Sequence, residues 1–171
     1  AGGAGDAGDA TKHDQASDCI ICSAGKYSTD TGRTTDCDQS CIAGTYISDT
    51  TTATKHDQAN DCTVCSAGKY STATGRTTDC DQSCIAGTYI SDTTTATKHD
   101  EVADCTVCSA GKYSTTIGRT TDCDLCIAGT YISDTTTATK HDEVADCTVC
   151  SAGKYSTSTG TANCDLCIAG T

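Results

Sequence analysis

Apolar positions in this chain are sparse and recur in small clusters rather than in runs. The recurring cluster is the word C-x-A-G-x-Y, which appears as Cys22-Ser-Ala-Gly-Lys-Tyr27 and as Cys41-Ile-Ala-Gly-Thr-Tyr46. It returns from Cys65, Cys84, Cys108, Cys126 and Cys150, and a shortened copy runs from Cys167 to Thr171. The chain is thus read as eight half-units, alternating short and long. Nowhere do apolar residues follow the helical spacing of about 3.6 residues, and there are no apolar heptads. Thr, Tyr, Val and Ile favour short strands, while Gly and Asp favour the turns between them. The pattern predicts a small, mostly β and loop protein of short two-stranded modules, with almost no helix.

A longer period lies over the shorter one. The word K-H-D begins at Lys12, Lys55, Lys98 and Lys140, at spacings of 43, 43 and 42 residues. This divides the chain into a Gly/Ala-rich segment 1–11, repeats 12–54, 55–97 and 98–139, and a truncated repeat 140–171. Units of this size cannot bury a core alone, so an elongated tandem array is expected.

Composition sharpens the picture by exclusion. Ile, Leu and Val supply only 17 of 171 residues, Phe, Trp, Met and Pro are absent, and the net charge is −12. So few large aliphatic residues with so much charge would leave a chain disordered unless something else holds it. An enzyme built on a thick core is excluded, and so is a membrane-spanning helix, which needs about 18 consecutive apolar residues. An acidic surface repels phosphate, which argues against nucleic acid as a partner. The 16 cysteines are what remains to hold the fold.

Two chemistries compete for them. The first repeat reads C-x2-C-x14-C-x3-C, near a four-cysteine zinc pattern. However, the second pair is C-x3-C in two repeats (Cys37/Cys41 and Cys80/Cys84) and C-x2-C in the other two. A zinc knuckle needs a fixed turn, whereas a disulfide-closed loop tolerates a one-residue change, because closure entropy varies slowly with length. Disulfides are therefore expected, with no metal or other cofactor, and dense cysteine in a core-poor chain points outside the cytosol. Spacing does not prove connectivity. The half-unit period suggests that each cysteine of a C-x-A-G-x-Y word closes a loop with the next cysteine. The pairs would be Cys22–Cys37, Cys41–Cys62, Cys65–Cys80, Cys84–Cys105, Cys108–Cys123, Cys126–Cys147 and Cys150–Cys164. Each such loop is worth about 3 kcal/mol in the chain-entropy model.

The words C-S-A-G-K-Y-S-T and G-R-T-T-D-C-D-Q-S-C-I-A-G-T-Y-I-S, over residues 19–171, resemble the ephrin-type A/B receptor-like cysteine-rich repeat. They are also similar to the short loop modules of tumour-necrosis-factor-receptor ectodomains. That resemblance implies the same sequential pairing. The Pro that follows the cysteine in that family is here Ser23, Ser66, Ser109 and Ser151, or Ile42, Ile85, Ile127 and Ile168. Repeats of this kind occur in protist surface antigens and in extracellular fibres such as mastigonemes, which suit a Thr-rich repeated chain better than a receptor does.

Four residue types are candidates for chemistry. The tyrosines Tyr27, Tyr46, Tyr70, Tyr89, Tyr113, Tyr131 and Tyr155 are the only aromatics, and each ring is expected to pack on a disulfide. The histidines His13, His56, His99 and His141 read as solvated loop residues, the alternative being a pH-sensitive contact between repeats. The D-C-D acids (Asp36/Asp38, Asp79/Asp81, Asp122/Asp124) offer too few oxygens for calcium and read as solvated, mutually repelling groups. No nucleophile, triad order or phosphate loop stands out, so the chain reads as a non-enzyme. Ser and Thr supply 50 residues of 171, and the runs D-T-T-T-A-T point to O-glycans. The candidate acceptors are Thr50, Thr51, Thr52 and Thr54, then Thr93, Thr94, Thr95 and Thr97, then Thr135, Thr136, Thr137 and Thr139. Asn60 and Asn163 lack an N-glycosylation sequon.

Sequential pairing omits Cys19 and Cys167, which become candidates for bonds between subunits. The function expected from the sequence is an extracellular or cell-surface structural protein. It would assemble with itself, head to tail, into a filament or coat carrying glycans. The alternative is a ligand-binding or adhesion stalk of a receptor-like surface protein. Without a starting Met, the sequence reads as a mature or partial chain.

Overall fold

A computed structural model describes residues 15 and 18–169. Among the described residues, seven antiparallel two-stranded sheets succeed one another along the sequence, each strand two residues long. Strand β1 (Lys26–Tyr27) pairs with β2 (Gln39–Ser40), β3 (Thr45–Tyr46) with β4 (Thr63–Val64), and β5 (Lys69–Tyr70) with β6 (Gln82–Ser83). Strand β7 (Thr88–Tyr89) pairs with β8 (Thr106–Val107), and β9 (Lys112–Tyr113) with β10 (Asp124–Leu125). The last two sheets join β11 (Thr130–Tyr131) to β12 (Thr148–Val149) and β13 (Lys154–Tyr155) to β14 (Asp165–Leu166). Every first strand is the G-x-Y end of a C-x-A-G-x-Y word. Among the described residues there is no α-helix, only three-residue 3-10 turns such as Ala53–Lys55 and Ala59–Asp61. The fold is a small, disulfide-rich tandem repeat of hairpin-like modules.

The local chemistry of the word explains the repeat. Lys26 N–H donates to Ser23 O at 3.1 Å, closing a turn whose third residue, Gly25, has φ +79°. This is the type II geometry, which wants glycine at that place. The turn reverses the chain directly after the cysteine and launches the strand.

Seven disulfides join Cys22 to Cys37, Cys41 to Cys62, Cys65 to Cys80 and Cys84 to Cys105, then Cys108 to Cys123, Cys126 to Cys147 and Cys150 to Cys164. Their Cα atoms lie 5.2–5.8 Å apart, the usual span of a bridge. Among the described residues, nine of the twelve buried apolar side chains are half-cystines, and the other three are Ile47, Ile90 and Ile132. Disulfides therefore replace most of what an aliphatic core would supply. Tyr70 packs against the cluster of Cys84, Cys105 and Ile90.

The contacts divide the chain into two compact units that interleave along the sequence. The first comprises Ala1–Cys65, Ser71–Cys80 and Thr94–Glu101; the second comprises Ser66–Tyr70, Asp81–Thr93 and Val102–Thr171. The boundaries fall inside the sequence repeats because each half-unit binds residues from a later one.

Candidate functional site

In the first unit, loops distant in sequence are tied by backbone hydrogen bonds. Gly25 N–H donates to Ile47 O at 2.9 Å, Ile47 N–H to Arg76 O at 3.1 Å, and Gly44 N–H to Ser71 O at 3.0 Å. Ser28 N–H donates to His56 O at 2.9 Å, and Gly75 N–H to Cys41 O at 2.7 Å. The second unit repeats these bonds one period on. Gly68 N–H donates to Ile90 O at 2.9 Å, Ile90 N–H to Arg119 O at 3.2 Å, Gly87 N–H to Ser114 O at 2.8 Å, and Gly118 N–H to Cys84 O at 2.7 Å. A further round in the same unit links Gly111 to Ile132 and Gly129 to Ser156, each at 2.9 Å. Parallel bridges Tyr46–Arg76, Tyr89–Arg119 and Tyr131–Thr161 mark the same contact.

Glycine is required here for space as well as for conformation. A Cβ on Gly25 would stand 2.2 Å from Gly75 O, and one on Gly68 would stand 2.2 Å from Gly118 O. A Cβ on Gly44 would stand 2.3 Å from Ala96 O, and one on Gly87 would stand 2.2 Å from Ala138 O. Backbone meets backbone with no side chain between, so the contact is fixed by the repeated word itself.

The histidines depart from the sequence reading. His56 is 2% exposed, and His99 and His141 are fully buried. His13 lies outside the described residues. The Nδ1 atom of His56 is 2.7 Å from Lys26 O, and that of His141 is 2.6 Å from Lys112 O. A carbonyl only accepts, so Nδ1 carries the hydrogen in both rings. Each ring packs back onto the strand of the preceding short loop, and its own carbonyl accepts from Ser28 or Ser114. Among the described residues His99 and His141 are the largest side chains that are fully buried.

The acids Asp38, Asp122 and Asp124 are solvent-exposed and Asp36 partly so, as expected, but they are paired with cations rather than left to repel one another. Asp36 accepts from Lys26 Nζ at 2.7 Å and from Ser23 N–H at 3.0 Å, while Asp38 pairs with Arg33 at 2.9 Å. Asp122 pairs with Lys112, and Asp124 with Arg119 at 2.8 Å. These two D-C-D pairs are thus each split between two cations, which relieves the repulsion. The Lys26 ammonium, then the Ser23 N–H, hold the Asp36 carboxyl well below the usual carboxylate range. The Lys112 ammonium lowers Asp122, and the Arg119 guanidinium lowers Asp124.

The threonine runs open on an aspartate turn. Asp49 Oδ1 accepts from Thr51 and Thr52 N–H at 2.9 and 2.6 Å, and Thr52 Oγ1 donates to Asp49 Oδ2 at 3.3 Å. Asp134 holds Thr136 and Thr137 in the same way, and their N–H groups lower its carboxyl to about 2. Thr52 and Thr137 are half-buried; Thr50, Thr51, Thr54, Thr93, Thr94, Thr95, Thr97, Thr135, Thr136 and Thr139 are exposed. The Asp turn therefore presents the first two threonines of these two runs outward and engages the third.

Cys65, Asp79 and Cys80 converge, but the two sulfurs are bonded to each other and offer no thiolate. Cys19 and Cys167 lie outside the seven bridges and are exposed. An open depression of 480 Å³ is lined by polar loop residues including Ser133, Asp134, Lys140 and Asp146. No helix among the described residues is long and apolar enough to cross a membrane. Seven disulfides mark a chain made for an oxidising compartment outside the cytosol. No family model matches this sequence, and no curated protein is similar to it.

Proposed function

We propose that the protein is a structural, extracellular repeat subunit that assembles head to tail into a filament or surface coat and carries O-glycans on its threonine turns. The observation that carries this reading is the sameness of the contacts between loops. The hydrogen bonds of Gly25, Ile47 and Gly44 recur, with the same partners by type, at Gly68, Ile90 and Gly87. A binding module needs one repeat that differs from the rest to make a specific site. Near-identical contacts instead suit mechanical repetition. The similarity of the C-x-A-G-x-Y words to repeats of extracellular fibres supports the same reading.

Cys167 of one copy joins Cys19 of the next in this proposal, and both are exposed. The two thiols lose two protons and two electrons to a disulfide of an exchange partner in the same oxidising compartment, which leaves as a dithiol. Head-to-tail contacts whose rotation does not close generate fibres.

Gel electrophoresis of the native material with and without reductant tests the covalent step. A ladder of multiples that collapses to one band on reduction is the expected result. A single-chain band in both lanes would remove it. Intact mass tests the second element: hexose or pentose increments are expected, and an unmodified mass would exclude the glycans.

A further inference from the structure

A depression of 360 Å³ opens within the first unit, between three loops distant in sequence. Its walls include Tyr27 of a short loop, Ile42, Ala59 and Asn60 of the long loop after it, and Thr94 and Ala96 of the next long loop. The repeated backbone contact holds the last two in place, since a Cβ on Gly44 would stand 2.3 Å from Ala96 O. Thr94 lies two residues before Ala96 and is exposed. A threonine of the D-T-T-T-A-T word thus stands in the wall of a depression built by earlier loops.

The chemistry of the lining suits a sugar, which carries hydroxyls at its edge and an apolar face of C–H groups. Tyr27 is half-buried and brings an aromatic ring, and Ile42, 56% exposed, brings an aliphatic surface. The Asn60 amide brings two donors and an acceptor. The volume falls within the range of small-molecule sites, roughly 300–1,000 Å³. A sugar linked to Thr94 is already at the site, so its docking is intramolecular and weak contacts suffice. The net charge of −12 favours a neutral sugar over an acidic one.

The following repeat keeps the backbone contact and changes the side chains around it. Thr136 stands two residues before Ala138, whose carbonyl meets Gly87 as that of Ala96 meets Gly44. The counterparts of Ala59 and Asn60 there are Val102 and Ala103, so the amide is missing and a larger side chain stands in place of Ala59. We propose that Tyr27, Ile42, Ala59 and Asn60 form a saccharide-binding site for a neutral sugar O-linked to Thr94, and that Thr136, in the same sequence word, has no such site. The site rests on the O-glycan part of the proposed function. It adds that the glycan of Thr94 folds back onto the protein, whereas one on Thr136 stands clear in solvent.

Timed trimming of the native, folded glycoprotein tests this, with an exoglycosidase matched to the sugar found by mass. Thr94 and Thr136 are read separately by fragmentation of their peptides. The sugar on Thr94 is expected to leave about tenfold more slowly than the one on Thr136, as a docked state about nine-tenths populated requires. After reduction and unfolding the two rates become equal. Ala59→Val with Asn60→Ala, made in the same cells, is expected to raise the Thr94 rate to that of Thr136, with all seven disulfides still present by mass. Asn60→Ala alone, at an exposed position, is expected to act in the same direction and decides the matter if the double variant loses a disulfide. Equal rates in the folded chain, a difference that persists after unfolding, protection that survives these substitutions, or a bare Thr94 beside a glycosylated Thr136 would overturn the site and leave the O-glycan reading standing. A native chain with no sugar on any threonine would overturn both.

Discussion

His56 Nδ1 stands 2.7 Å from the carbonyl oxygen of Lys26, thirty residues earlier in the chain. The bond ties the end of a long loop to the strand of the short loop before it, and the imidazole is 2% exposed. His141 makes the same bond to Lys112 O, twenty-nine residues back, at 2.6 Å. A polar side chain here serves as the centre of a fold that has few apolar ones.

His56→Ala removes that centre. It leaves a cavity and deprives Lys26 O of its side-chain donor, at a cost of about 3 kcal/mol. His141→Ala is expected to cost the same. Chemical denaturation with the disulfides intact measures both. A change within about 0.5 kcal/mol, the range of a surface substitution, would return the histidines to the solvated class.

The loops were legible in the sequence, and the histidines were not. A regular alternation of C-x-A-G-x-Y words fixes where turns and strands fall, because glycine at positive φ and the flanking Tyr act locally. Burial of His56 depends on a partner thirty residues away, and no periodicity rule reaches that far. Isoleucines show the same limit. Ile47 and Ile90 in Y-I-S are each 3% exposed, while Ile42 and Ile85 in C-I-A are 56% and 55% exposed. Both are β-branched residues five positions apart, and the later loop that accepts from Ile47 and Ile90 N–H lies some thirty residues on. The salt-bridged D-C-D acids were hidden for the same reason, since Lys26 lies ten residues from Asp36.

Glycines at the contact give a graded test. At Gly153, φ is +79° and space is open, so Gly153→Ala costs only the conformational strain of about 1–2 kcal/mol in the single chain. At Gly68, φ is +77° and a Cβ would also overlap Gly118 O at 2.2 Å. Gly68→Ala should therefore lose about 3 kcal/mol or more, strain and overpacking together. Thermal unfolding of the two variants compares them; equal losses would mean that the close backbone approach is not maintained in solution.

Acid weakens the fold in a defined window. Thr136 and Thr137 N–H groups hold Asp134 at about 2 in the folded chain, below the unfolded value of about 3.9. A carboxyl lowered by folding contributes stability that is complete above the unfolded value and is lost as pH falls toward the folded one. Asp36, lowered by Lys26, and Asp122, lowered by Lys112, act in the same direction. Stability should be level above about pH 4 and fall below it. Asp134→Asn should flatten part of that fall in unfolding midpoints taken from pH 5 to pH 2. A wild-type curve unchanged across that range would refute the assignment.

Disulfides stand in for the core, so their removal should behave like core removal. Replacing Cys84 and Cys105 together by Ala opens a loop of sequence separation 21 and should cost about 3 kcal/mol. Full reduction should abolish the folded state, read as loss of amide protection in hydrogen exchange. Protection that survives complete reduction would contradict a cystine core.

Assembly through identical contacts is the centre of the functional reading, and electron microscopy of the oxidised, purified chain tests it most directly. Unbranched filaments of constant width, formed by the chain alone, are the expected result. Dispersed single-chain particles at every concentration would contradict it.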